Sequence, residues 1–120
     1  MRAKLYGIAN CDTVKKARKW LVERGIEVDF HDFKKQGLNQ ATLTGWLKKR
    51  DWEALLNKRG TTWRNLSPET RDAISDRAGA ARLMVEQPAL IRRPVLDIEG
   101  NIYLGFDEDV YSEIFKKKPE

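Results

Sequence analysis

The first third of the chain follows the residue pattern of a strand, then a helix, then a second strand. Residues 4–8 are rich in apolar residues and β-prone, and Gly7 with the Ala9-Asn10 pair suggests a turn. Apolar residues then recur at helical spacing over residues 12–24, and Gly25 is typical of a helix end. Residues 26–31 alternate between apolar and polar, which is the period of a half-buried strand. Two strands joined by a helix are expected to pair in parallel.

The middle of the chain is predicted to be helical. Leu43, Trp46 and Leu47 have helical spacing and follow Asn39, a suitable N-cap. Ser67-Pro68-Glu69 combines a cap, a proline and an acid in the order typical of a helix start. A further helix is predicted at residues 81–87, where Pro88 ends it.

The last third returns to strand character. Glu99-Gly100 separates Val95–Ile98 from Asn101–Leu104 and predicts an antiparallel hairpin. A final helix is predicted at residues 108–116, with acids at its start and the lysines of residues 116–118 at its end, as the helix dipole favours. The chain is therefore expected to form a single α/β domain over residues 1–120, with a mixed sheet and a helical insertion at about residues 38–88.

The counts of two residue types exclude several kinds of site. The chain has one cysteine and one histidine, so it can hold no internal disulfide, no CxxC pair and no Cys/His zinc site. No metal is expected. The net charge of +5 allows anionic partners without specifying them. No apolar run could span a membrane, and no secretory signal is visible. An unpaired cysteine in a chain without an export signal favours a reducing, cytoplasmic location.

Cys11 is the first candidate for chemistry because it lies where the first strand gives way to the first helix. The unpaired amides at a helix start favour a thiolate and lower the pKa of a cysteine there. Cys11 is also in phase with Val14, so a small buried core residue is an equally reasonable interpretation of its position.

The second candidate is the group Arg92-Arg93-Pro94 directly before the predicted hairpin. Guanidinium groups bind carboxylates and oxyanions through two hydrogen bonds, and a proline at this place is a candidate for a cis peptide bond. The same two arginines could instead be solvated residues flanking a strand, and Arg59 has the same two interpretations. His31 is expected to be a surface histidine, and the four tryptophans are expected to serve core packing.

Three segments, in the same order, resemble the arsenate reductase (ArsC)-like family, and in particular its small YffB subgroup. They are GIANCDTVKKA at residues 7–17, WEALLNKRGTTW at residues 52–63 and LIRRP at residues 90–94. The resemblance covers essentially the whole chain and implies a thioredoxin-type fold, which agrees with the strand and helix order found above.

The resemblance also implies roles for individual residues. Cys11 matches the nucleophilic cysteine of the family, Arg93 the arginine that helps to hold oxyanion and glutathione, and Pro94 the cis proline of thioredoxin folds. The chain also departs from the family. Arsenate reductases of this class use an arginine in the region of Arg59 and a further one after the hairpin. In this chain the first is displaced to Arg59 within Leu56-Asn57-Lys58-Arg59, and Leu104-Gly105-Phe106 stands in place of the second. Related Spx-type regulators often carry CxxC, whereas this chain has Val14 at the fourth position.

These features lead us to expect an oxidoreductase: a monothiol, glutathione-dependent thiol reductase with Cys11 as nucleophile. Arg93, with Arg59 and Arg92, would hold the carboxylates of glutathione, which serves as co-substrate, and Asn10 would add a hydrogen bond. Because no second cysteine exists, an external thiol must resolve the intermediate.

Two other functions stay open. One is a non-catalytic protein-binding module related to the RNA-polymerase-binding Spx-type regulators, and the other is a weak glutathione-dependent arsenate reductase. The expected partners are glutathione, a small oxidised thiol or an oxyanion, or else a protein. No membrane partner is expected, and no recognition pattern for nucleic acid is present.

Overall fold

The computed structural model describes residues 2–116, which form two compact units. The first, the sheet unit, contains the chain up to Asp32 and again from Arg93 onwards. The second, the helical unit, is the continuous segment Phe33–Arg92. None of the helices within the described residues is both long enough and apolar enough to cross a bilayer.

The sheet unit has four strands and two helices. In chain order they are β1 (Ala3–Gly7), α1 (Asp12–Glu23), β2 (Asp29–Asp32), β3 (Val95–Ile98), β4 (Asn101–Leu104) and α8 (Glu108–Lys116). The strand order in the sheet is β2-β1-β3-β4. β1 pairs in parallel with β2, and the other two pairings are antiparallel, which confirms the mixed sheet.

One face of the sheet packs against α1 and α8. Leu5 of β1 lies opposite Leu96 of β3 in the register, and both side chains are fully buried. The core around them is apolar and largely aromatic, because four large side chains from the two helices cover this face: Trp20, Leu21, Tyr111 and Phe115. Burial of this apolar area is the main force that holds α1, and therefore its first residues, against the sheet.

The helical unit consists of short helices. They are α2 (Phe33–Gln36), α3 (Gln40–Leu47), α4 (Trp52–Leu55), α5 (Thr61–Arg64), α6 (Pro68–Ala73) and α7 (Arg77–Glu86), followed by a 3₁₀ turn at Pro88–Leu90. Three of them begin with a side chain that accepts a hydrogen bond from the backbone amide three residues later: Asn39, Ser67 and Asp76. Such caps allow helices this short to start at defined residues.

Most predicted elements occur where the sequence places them, and the differences concern their ends. The hairpin strands and α8 have the predicted bounds, and of the predicted lysines at residues 116–118 only Lys116 lies within the described residues. The second strand begins at Asp29 rather than at residue 26, because its pairing with β1 starts with Lys4 opposite Asp29. α7 begins at Arg77, four residues before the predicted start, under the Asp76 cap.

The helical unit also extends beyond the predicted insertion at both ends. The structure bounds it at Phe33 and Arg92, compared with about residues 38–88 in the sequence prediction. The additional residues form α2 at one end and the segment after Pro88 at the other. Whether the chain behaves as one folding domain stays a prediction.

Candidate active site

Cys11 stands at the junction between β1 and α1. Its amide donates to the Ile8 carbonyl over 3.0 Å, which closes the turn after β1. Its backbone is extended, with φ −97° and ψ 129°, and its carbonyl accepts from the Lys15 amide over 2.9 Å. Cys11 is therefore the N-cap residue of α1, and its side chain is half-buried. The turn Ala9-Asn10 before it is exposed.

Gly7 allows this junction to be tight. A Cβ atom at Gly7 would lie 2.8 Å from Cγ2 of Val14, closer than side-chain carbons approach. Glycine therefore lets the first turn of α1 approach the end of β1, and this approach fixes the place of Cys11. The sequence pattern indicates Gly7 only as part of a turn, although a glycine inside a strand is a known sign of close backbone approach.

The β1–β3 register brings Arg93 and Pro94 to the end of the sheet at which β1 leads into Cys11. Val95 lies opposite Tyr6, so the residues just before Val95 run beside those just after Gly7. The Arg93-Pro94 peptide bond is cis, as the sequence suggested. Pro94 is buried and its carbonyl accepts from the Gly105 amide over 2.9 Å.

The surroundings of Cys11 lower the pKa of its thiol. Partial burial alone would raise that pKa, but the nearby backbone amide of Val14, the Arg93 side chain and the Thr13 amide stabilise the sulfur anion and lower the pKa. The positive charge of Arg93 adds to their effect, and the net shift is downward. The two amides do so without a capping hydrogen bond of standard geometry. The site therefore stabilises the thiolate relative to that of an ordinary cysteine, through the two causes expected at a helix start beside a cation.

The structure places the other two predicted arginines in the helical unit. The exposed Arg92 donates from Nε to the Ala54 carbonyl over 3.2 Å, and its amide donates to the Leu55 carbonyl over 2.8 Å. Arg59 is exposed in the loop before α5, where its amide donates to Oδ1 of Asn57 over 3.1 Å. Their roles in holding glutathione stay predictions, as does that of Asn10.

His31 and the tryptophans have mainly structural surroundings. His31 is half-buried, and its ring lies 4.9 Å from that of Tyr6 on the neighbouring strand. Trp20 and Trp46 are buried, whereas Trp52 and Trp63 are half-buried. Lys58 lies over both half-buried rings, 5.7 Å and 5.5 Å from their centroids, an arrangement that no local sequence pattern indicates.

No metal centre is visible in the part of the chain that the structure covers. Among residues 2–116, no three His, Cys, Asp or Glu side chains lie close enough together to hold a metal ion. The groups that the site itself holds are the Cys11 sulfur and the Arg93 side chain that lowers its pKa.

Comparisons with known proteins identify the family and the fold. Residues 6–114 match the model of the ArsC family. The solved structure of an arsenate reductase (ArsC) related protein from Brucella melitensis has 47% identity and a TM-score of 0.76, covering 97% of this chain and 96% of that one. The solved structure of the YffB protein has 43% identity and a TM-score of 0.87, with coverages of 92% and 96%.

A more distant relative is named for a different function. The global transcriptional regulator Spx of Streptococcus pyogenes is 26% identical over 103 residues, which is 83% of this chain and 75% of the regulator. The family match spans nearly the whole chain, and both solved structures align with almost all of it. The chain therefore belongs to the ArsC family and has that family's thioredoxin-like fold.

Proposed function

We propose that the protein is a glutathione-dependent monothiol reductase in which Cys11 is the nucleophile. The observation that carries this proposal is the pair formed by the half-buried Cys11 sulfur and the Arg93 side chain, which together with the first amides of α1 lowers the pKa of the thiol. A thiolate, not a thiol, attacks disulfides. Membership of the ArsC family, with its thiol-based redox chemistry, supports the same conclusion.

In the first step the Cys11 thiolate attacks the glutathione sulfur of a mixed disulfide between a substrate thiol and glutathione. A bond forms between the two sulfurs, the original disulfide bond breaks, and the substrate leaves as a thiolate that takes a proton from water. Arg93 stabilises the sulfur anion before the attack, and the amides of Thr13 and Val14 do the same from the helix side.

In the second step an external glutathione thiolate attacks the glutathione sulfur bound to Cys11. Glutathione disulfide leaves and the Cys11 thiolate is restored, so the substrate gains two electrons and two glutathione molecules become one disulfide. The external thiol is required because the sequence contains no second cysteine. A chemistry of this kind belongs in a reducing compartment, and we place the protein in the cytoplasm on that ground.

Turnover of a glutathione mixed disulfide tests the proposal. The wild-type protein, supplied with glutathione, glutathione reductase and NADPH, should oxidise NADPH when a glutathionylated peptide is added. Intact-mass measurement without free glutathione should show one glutathione on the protein. Cys11→Ser removes the only thiol and should abolish both signals, with circular dichroism confirming that the variant is folded. Full turnover by Cys11→Ser, or none by the wild-type protein, would refute the proposal.

The relationship with Spx supports a second candidate, a non-catalytic protein-binding module. Spx is named a transcriptional regulator and aligns with 83% of this chain. A binding module would capture its protein partner equally well with Cys11→Ala, whereas capture through a mixed disulfide would require the thiol. Pull-down with RNA polymerase, comparing wild type and Cys11→Ala, separates the two functions.

Arsenate reduction is a third candidate within the same family. Arg93 acts on the Cys11 sulfur, but Leu104-Gly105-Phe106 supplies no cation where arsenate reductases of this class are expected to carry one. A site with fewer cations binds an oxyanion less tightly. We therefore expect glutathione-dependent turnover of arsenate to be far below turnover of the glutathionylated peptide, as measured in the same coupled assay.

A further inference from the structure

The solvent side of α1 carries three exposed lysines, Lys15, Lys16 and Lys19, which we call the lysine face. Residues four apart on a helix are neighbours, so Lys15 and Lys19 are adjacent on the helix surface and Lys16 lies beside them. Asp12 and Glu23 stand before and after the lysines. No ion pair joins either acid to the lysine face within residues 2–116. By the same rule Asp12 is a neighbour of Lys16 and Glu23 of Lys19, so the five side chains together keep a net charge of +1, with no lysine held in an ion pair in the described part of the chain.

The lysine face starts at the thiol and extends away from it. With a rise of about 1.5 Å per residue, Lys15 and Lys16 lie about 6–8 Å from Cys11 along the helix, and Lys19 about 12 Å. Glutathione bound through its central cysteine reaches about 5 Å on its glycine side and about 7 Å on its glutamate side, where the peptide link runs through the side chain. The far end of the lysine face is beyond glutathione but within reach of a longer peptide.

We propose that the lysine face docks acidic polypeptide, so that the preferred substrate of Cys11 is an oxidised protein thiol flanked by Asp and Glu. This inference rests on the proposed function, since it takes Cys11 as the attacking thiol. Nucleic acid would also match the charge of the lysine face, but it carries no disulfide for Cys11 to attack. A partner of the right class must bring both the carboxylates and the sulfur.

The screening of charge in water divides the lysine face into two parts. The Debye length is about 8 Å at physiological salt, so Lys15 and Lys16 act on the reacting sulfur itself, whereas Lys19 is screened from it. Lys19 can act only on a carboxylate that lies beside it. Small charged reagents should therefore respond to Lys15 and Lys16, and only peptides should respond to Lys19.

The first experiment uses three methanethiosulfonates that carry a negative, a neutral or a positive group. The thiolate attacks the sulfenyl sulfur, a disulfide forms and methanesulfinate leaves, so no glutathione is needed. We expect the ratio of the rates with the negative and positive reagents to fall about tenfold in Lys15→Glu/Lys16→Glu at about 150 mM salt. Lys15→Arg/Lys16→Arg keeps the charges and should keep the wild-type ratio. The neutral reagent corrects each rate for any change in the thiolate fraction.

The second experiment uses peptides with one cysteine, flanked by four glutamates, four glutamines or four lysines. Each cysteine is activated as a 2-thiopyridyl disulfide, and Cys11 forms a disulfide with the peptide sulfur as 2-thiopyridone leaves. The wild-type protein should react fastest with the acidic peptide. Lys19→Glu should reduce that preference several-fold while changing the small-reagent ratio less than twofold. Lys19→Arg should behave like the wild-type protein.

Three results would overturn the inference: equal rates with all three peptides, equal effects of the arginine and glutamate variants, or tighter binding of a short oligonucleotide than of the acidic peptide. Failure of the proposed function would give a different result, namely no turnover of any mixed disulfide between glutathione and a substrate thiol. Turnover without peptide preference therefore refutes only the acidic partner.

Discussion

The side chain of Arg93 acts on the sulfur of Cys11 both as a hydrogen-bond donor and as a charge. The two residues are far apart in the chain, yet the pairing of β1 with β3 brings them to the same edge of the sheet. Arg93 is half-buried, so water screens its charge less than it would on an exposed side chain. This pair is the part of the molecule on which the proposed chemistry depends most.

Replacing Arg93 should raise the pKa of Cys11, because the thiolate loses a donor and a nearby positive charge. In Arg93→Ala the midpoint of iodoacetamide alkylation against pH should move up towards that of an ordinary thiol, about 8.5. The rate in mildly acidic buffer should fall several-fold. Arg93→Lys keeps the charge without the planar fork and should lie between the two.

The matched control for this measurement is Arg82→Gln, which changes an arginine of α7 in the helical unit. Its alkylation midpoint should equal that of the wild-type protein. An unchanged midpoint in Arg93→Ala would show that the helix amides alone stabilise the thiolate.

The lowered pKa of Cys11 also makes the stability of the fold depend on pH. A group with a lowered pKa in the folded state adds stability above its unfolded pKa, and this contribution is lost as the pH falls through the folded pKa. The free energy of unfolding of the wild-type protein, relative to Cys11→Ser, should therefore increase with pH and level off above about pH 9. Urea unfolding under reducing conditions at several pH values measures it. A difference that is constant with pH would contradict the shift.

A methyl group at Gly7 should destabilise the junction between β1 and α1. Its Cβ would lie 2.8 Å from Cγ2 of Val14, and overpacking of this kind costs about 1–3 kcal/mol. Val14→Ala alone creates a small cavity, but it removes the clashing atom. The Gly7→Ala/Val14→Ala double variant should therefore lose less stability than the sum of the single variants. Additive losses, measured by urea unfolding, would exclude the contact as their cause.

Removing the Tyr111 hydroxyl should not weaken the core. Tyr111 is 1% exposed, and its hydroxyl has no hydrogen-bond partner among the described residues. Its burial without a partner raises the pKa of the phenol. Tyr111→Phe relieves a desolvation cost of about 1–3 kcal/mol and keeps the ring contacts with Trp20 and Phe106. Unfolding free energy should stay equal or rise in Tyr111→Phe and fall in Tyr111→Ala. A large loss in Tyr111→Phe would reveal a partner for the hydroxyl.

Elements specified by neighbouring residues could be predicted from the sequence. The hairpin is one, because Glu99 and Gly100 supply the two positive φ angles, 52° and 92°, that its turn requires. The helix after Ser67 is another, since its cap and its proline are adjacent in the chain. The position of Cys11 at the start of α1 follows from the same kind of local pattern.

Elements that depend on distant partners could not be predicted in the same way. The start of β2 is set by the first residue of β1 that pairs with it, Lys4. Residues 26–28 continue the alternation of apolar and polar residues, so the sequence does not show that the pairing begins only at Asp29. α2 and α5 have four residues each, too few to show a period. Of the site, the thiol and the helix amides could be placed from the sequence, but the contact with Arg93 required the register between β1 and β3.

The pairing of β1 with β3 has a consequence for the protein during its synthesis. Ala3–Gly7 leaves the ribosome early, whereas its partner Val95–Ile98 follows only after the whole helical unit. Until then the nascent chain has no Arg93 beside Cys11, so its sulfur lacks one of the donors and the charge that lower its pKa. The pKa of Cys11 therefore reaches its folded value only when the last-made strands have joined the sheet.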